Sequence, residues 1–149
     1  MDFALSWPQG WDDIGKLAIS YLLALPTGWN REREEHSVGV RTFPVVAIAS
    51  CGYVLLGAPS TGMSVEAQSR IIQGMVAGIG FVGGGAILKS DNHVHGTATA
   101  ASIWCTGAIG GAVALDRYLL AAGLAALNLI AMRLLLRVKS QLDGGSKPG

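Results

Sequence analysis

The stretch IIQGMVAGIGFVGGGAIL, from Ile71 to Leu88, carries no charge and six glycines: Gly74, Gly78, Gly80, Gly83, Gly84 and Gly85. In water each interior glycine weakens a helix by roughly 0.5–1 kcal/mol relative to alanine. In lipid, small residues four apart let two helix backbones approach closely. Gly74 with Gly78, and Gly80 with Gly84, have that spacing. The segment is long enough to cross a bilayer. It reads as a membrane span that either packs very tightly through its glycines or breaks locally to line a site.

Composition points the same way. Half of the 149 residues are hydrophobic, 14% are charged, and the mean hydropathy is +0.43. Spans of ~20 residues leave room for about five of them, with short loops and no separate soluble module. A net charge of +1 and the lack of a basic, aromatic-interleaved stretch give no reason to expect nucleic acid. The first positive charge is Lys16, so a cleaved signal peptide is not expected.

The expected fold is therefore all-α, a bundle of about five transmembrane helices. The spans fall at residues 14–29, 41–56, 71–88, 97–115 and 118–136, with a frayed polar tail over 137–149. Pro26 predicts a kink or early unwinding near the end of the first span, whereas Pro44 sits harmlessly in the first turn of the second. Turn residues separate the spans, including the loop KSDNHVHG before the fourth. Asp116-Arg117 joins the fourth and fifth so closely that they must form an antiparallel pair.

Basic residues set the orientation. Arg31, Arg33, Arg41, Lys89, Arg133, Arg137, Lys139 and Lys147 fall on one side, and Lys16, Arg70 and Arg117 on the other. The positive-inside rule then places the N-terminus outside and the C-terminus in the cytoplasm. Trp7, Trp11, Tyr53 and Tyr118 fall near the outer boundary and Trp29 near the inner one. Trp104 lies inside the fourth span and reads as a buried packing anchor.

Several tempting motifs carry little. Gly78-Ile79-Gly80-Phe81-Val82-Gly83 fits the dinucleotide pattern G-x-G-x-x-G, but it follows no strand and has no acid ~20 residues on. His93 and His95 with Asp91 are too few for a zinc site, and no metal or cofactor is expected. Cys51 and Cys105 lie in different spans as buried free thiols. All ten acids lie outside the central spans, which offer only neutral groups: Ser20, Ser50, Gln73, Ser102, Thr106 and Asn128. Cation transport is hard to build from these.

Ionisable groups gather instead at the cytoplasmic boundary. Arg31 and Glu32 close the first span, Arg41 opens the second, and Thr97 and Thr99 begin the fourth on the same side. A helix start presents unpaired N–H groups and partial positive charge. Together these five residues suit an anion, a lipid headgroup or an acidic partner; the plainer alternative is internal pairing, snorkelling and an ordinary cap.

The blocks Gly28-Trp29-Asn30-Arg31-Glu32, Gly39-Val40-Arg41-Thr42, Gly78 to Gly85, and Gly96 to Trp104 resemble signature blocks of the MgtC/SapB family of bacterial membrane proteins. The resemblance covers roughly Leu17 to Leu124. It implies an inner-membrane protein of about five spans, connected in some members with growth in low magnesium and survival inside host cells. It also implies action on a membrane partner such as the proton-driven ATP synthase rather than carriage of magnesium. The shorter branch, without a soluble C-terminal domain, is the nearer match. Asn30 stands where many members have Glu, and Thr97-Ala98 depart from the usual GLTTAA block.

The leading expectation is a non-enzymatic regulator that contacts lipid and a membrane-protein partner, and that forms a homo-oligomer, with a dimer favoured. Packing is expected through Gly74, Gly78, Gly80, Gly83, Gly84, Gly107, Gly111 and Trp104. The alternative is a small transporter or channel with its site at a glycine-broken third span.

Overall fold

Five helices and one short hairpin make up the computed structural model, which describes residues 7–32, 39–58, 62–90 and 93–144. In chain order these are α1 (Trp7–Glu32), α2 (Thr42–Leu56), α3 (Val65–Gly85), β1 (Leu88–Ser90), β2 (His93–His95), α4 (Thr97–Ala114) and α5 (Tyr118–Gly144). The fold is all-α apart from the hairpin, in which Lys89 stands opposite Val94. Among the described residues no helix is both long and apolar enough to cross a membrane.

Side-chain bonds fix the helix directions. Lys16 of α1 meets Asp116, just before α5, and Asn30 of α1 meets Arg133 of α5. Thus α1 and α5 run parallel. Arg31 of α1 bonds Thr99 at the start of α4, so α4 runs the other way. Contacts of α4 with Ala47 and Val54 of α2, and with Met75 and Ile79 of α3, complete an alternating order. The Lys16–Asp116 end and the Arg31–Thr99 end are opposite ends of the bundle.

α4 is the central helix. It touches all four others and is buried continuously from Ile109 to Ala114. It is rich in Ala, Gly, Ser and Thr, and it needs no apolar stripe because neighbours stand on several of its sides. Gly107 and Gly110 allow the closest approaches. A Cβ on Gly110 would run into the backbone carbonyl of Ala47, and one on Gly107 into the Ile79 side chain. Around these contacts Cys51, Val54, Ile109 and Val113 form one core cluster, and Phe43, Ile79 and Ile103 another.

Several boundaries differ from expectation. α1 passes through Pro26 without unwinding and ends only at Glu32. α3 starts before Ile71, at Val65, where the Ser64 hydroxyl accepts the Ala67 N–H at 3.2 Å. It is continuous to Gly85, so the glycine run ends the helix instead of breaking it, and Leu88 belongs to β1. The loop before α4 is a hairpin, closed at Gly96 with φ +87, where any Cβ would strike the Ala86 carbonyl. α5 continues to Gly144, past the expected start of a frayed tail.

The glycines of α3 are mostly open within the chain. Among the described residues only Gly83 of this run packs within the chain, its Cβ position lying 3.1 Å from the Ala100 carbonyl oxygen. Cβ atoms at Gly74, Gly78, Gly80 and Gly84 would meet nothing within 4 Å among the described residues, and Phe81 beside them is 85% exposed. α3 lies at the periphery, against α4 and α2 alone among its substantial contacts. Trp104 is likewise no buried anchor: it is 55% exposed, on the side of α4 that its neighbours leave open.

Candidate functional site

The Arg31–Thr99 end of the bundle is assembled from three segments. Arg31 lies in the last turn of α1, only 3% exposed, and its Nη2 donates to the Thr99 hydroxyl at 2.6 Å. Thr99 is 4% exposed. The neighbouring Glu32 turns toward the approach to α2, where its Oε2 accepts the Val40 N–H at 3.0 Å. That approach needs two glycines. A Cβ on Gly28 would sit 3.0 Å from Val40 Cα, and one on Gly39 would collide with the Glu32 carboxylate.

These contacts divide the five expected site residues. Arg31 and Thr99 are joined directly, and Glu32 ties α1 to the turn that carries Arg41. Arg41 itself is exposed at the N-terminus of α2, and Thr97 is exposed in the first turn of α4. A Cβ on Gly111, the other expected packing glycine of α4, would come into ordinary contact with Met75 and Val54, at 3.7 and 3.9 Å. Arg33, Asp91 and the side chains of Arg137, Lys139 and Lys147 lie outside the described residues.

A second bond supports the same end. Arg133 of α5 donates through Nε to the Asn30 side-chain oxygen at 3.3 Å, so Asn30 serves as a neutral acceptor between α1 and α5. One turn inward, Ser102 donates to Asn128 at 2.8 Å, both buried between α4 and α5.

Sequence reasoning missed the opposite end. Lys16, expected only as an orientation charge, is buried against Asp116 at 2.9 Å and Asp12 at 3.2 Å. Asp116 holds φ +57, a left-handed conformation that a short polar side chain tolerates, and its Oδ1, the oxygen nearest Lys16, also accepts from the Tyr118 hydroxyl at 3.0 Å. The Lys16 ammonium beside it, helped by Tyr118, holds the Asp116 carboxyl below its ordinary range. A lysine placed within an apolar run was the available signal, but its partner lies 100 residues away.

Polar side chains share the interior with the apolar core, while many large apolar side chains stand exposed. Buried side chains include Lys16, Ser20, Thr27, Arg31, Ser50, Thr99, Ser102, Thr106 and Asn128. Leu22, Val45, Phe81, Trp104, Leu119 and Leu127 are exposed, Leu119 by 89%. Five of the six neutral polar groups expected in the spans are buried; Gln73 is exposed. Between α2 and α3 lies a cavity of about 530 Å³ lined by Val46, Ser50, Tyr53, Gly74, Met75 and Gly78, among others.

Residues 17–141 match the MgtC family. Protein SrpB of Synechococcus elongatus is 36% identical over 121 residues, covering 71% of this chain and 66% of SrpB. Protein MgtC of Brucella abortus is 35% identical over 94 residues, 63% of this chain and 39% of that protein. For protein MgtC of Salmonella typhimurium the identity is 34% over 97 residues, 65% and 41%. The chain thus spans less than half the length of these MgtC proteins. No solved structure matches it. The family match begins beside Lys16, takes in the Arg31–Thr99 bond and the central helix α4, and ends in α5 at Gln141; this chain belongs to the MgtC family.

Proposed function

We propose that this chain is a non-enzymatic, multi-pass protein of the bacterial inner membrane that regulates a membrane partner under magnesium limitation or related stress. The observation that carries the membrane reading is an apolar exterior around a core that also holds polar groups. Large apolar side chains stand exposed on all five helices while hydroxyls, an amide and two cations are buried. In water such an exterior would aggregate, whereas in lipid it is the solvated face.

In this reading the Arg31–Thr99 end faces the cytoplasm. The buried pair holds α1 and α4 together there, while Arg41 and Thr97 are the exposed groups that meet an anionic partner or lipid headgroup. The ATP synthase is a candidate partner through the family resemblance. The open glycine face of α3 is the surface for a second copy. Transport at a broken third span loses its premise, since α3 is continuous.

The test of the docking site is crosslinking and co-purification from native membranes with Arg41→Gln and Arg117→Gln variants. Arg117 is exposed at the opposite end and serves as control. Losing a charge-assisted contact of ~1.5–3 kcal/mol should reduce partner recovery roughly tenfold or more for Arg41→Gln. Equal recovery with the two variants would refute the site.

A further inference from the structure

Lys16, Ser20, Thr27 and Arg31 fall within about 60° of arc on α1, given ~100° of turn per residue. All four are buried. They follow the side of α1 that meets α4, since Lys16 reaches Asp116 at one end and Arg31 reaches Thr99 at the other. The two end residues are thereby engaged. The two between them are not: Ser20 Oγ and Thr27 Oγ1 are fully enclosed with no hydrogen-bond partner among the described residues.

The polar groups nearby are turned to other tasks. Thr106 donates back to the Ser102 carbonyl at 2.8 Å, and Ser102 donates to Asn128. By geometry Ser20 Oγ makes no bond to the nearby Cys51, whose thiol is a weak partner in any case. Counting from the Arg31–Thr99 bond, Thr27 comes level with about residue 103 of α4, within a turn of both Ser102 and Thr106. Hydroxyl and carbonyl oxygens there have acceptor capacity beyond their single bonds.

Enclosed hydroxyls on a polar seam are the setting in which folded proteins hold internal water, whereas wholly apolar cavities stay dry. We propose that the α1–α4 seam binds internal water at Ser20 and Thr27, so that water bridges the two hydroxyls to oxygens of α4. The seam is then a hydrated contact closed at one end by the Lys16–Asp116 pair and at the other by Arg31–Thr99.

Water-edited solid-state NMR on the full chain in lipid bilayers tests this, with Ile109 of the apolar core as the dry reference. Magnetisation from water should reach Ser20 and Thr27 several-fold more strongly than Ile109; transfer no stronger than at Ile109 would overturn the proposal. Thr27→Val gives an independent reading, because it keeps the shape and removes the hydroxyl. If water is bound, its bonds are stranded and the unfolding midpoint falls by about 2–4 °C. If the hydroxyl is dry, the valine removes an unsatisfied group and the midpoint stays level or rises, which would refute the proposal.

Discussion

At the scale of single residues, the cations decide most. Thr99→Val should remove the charge-assisted bond to the buried Arg31 Nη2 and cost about 1.5–3 kcal/mol, while Thr99→Ser should restore most of it. Unfolding followed in mild detergent would measure both; a valine variant as stable as the parent would contradict the bond's importance. Asp116 gives a pH test. Its folded carboxyl lies below the ordinary value of 3.8, so its contribution is complete above that value and fades as pH falls through the lowered one. Asp116→Asn should remove this part of the acid sensitivity while tolerating the left-handed backbone. An unchanged stability profile below pH 4 would argue that Lys16 draws nothing from the pair. The grouping of Arg31 with Thr99 was legible, because both sit at span ends on the same side. The Lys16–Asp116 pair was not, since a bond across 100 residues leaves no periodicity to read.

At the scale of elements, glycine has two meanings. Gly110→Ala should be strongly destabilising, since its Cβ meets the Ala47 backbone rather than a side chain that can move. Overpacking of this kind costs typically ~1–3 kcal/mol. Gly80→Leu and Gly84→Leu should leave the folded chain almost as stable as the parent, because their Cβ positions are open. If α3 docks a second copy, the same two variants should dissociate the oligomer on size-exclusion with light scattering; oligomers unchanged by either would remove α3 from the interface. The helices themselves were readable from apolar runs and turn residues, α2 and α4 almost to the residue. Glycine density was not, because spacing of four appears equally on a packed face and on an open one. The hairpin escaped because Leu88–Ser90 and His93–His95 are too short to show alternation.

At the scale of the whole molecule, the alternating helices place the Lys16–Asp116 and Arg31–Thr99 ends on opposite sides of one bundle. The exposed aromatics follow the same division, with Trp11, Tyr53 and Tyr118 toward the first end and Trp29 toward the second. That α4 is central and α3 peripheral was beyond the sequence, since it depends on which faces meet rather than on which residues are apolar. The central claim, that the bundle spans the inner membrane with the Arg31 end in the cytoplasm, can be tested with single cysteines in a background where Cys51 and Cys105 are replaced. Met63→Cys lies in the α2–α3 connection at the Lys16 end, and Lys89→Cys lies on β1 at the other. An impermeant maleimide should label Met63→Cys in intact spheroplasts and Lys89→Cys only after permeabilisation. Labelling of both positions from the same side would contradict the account.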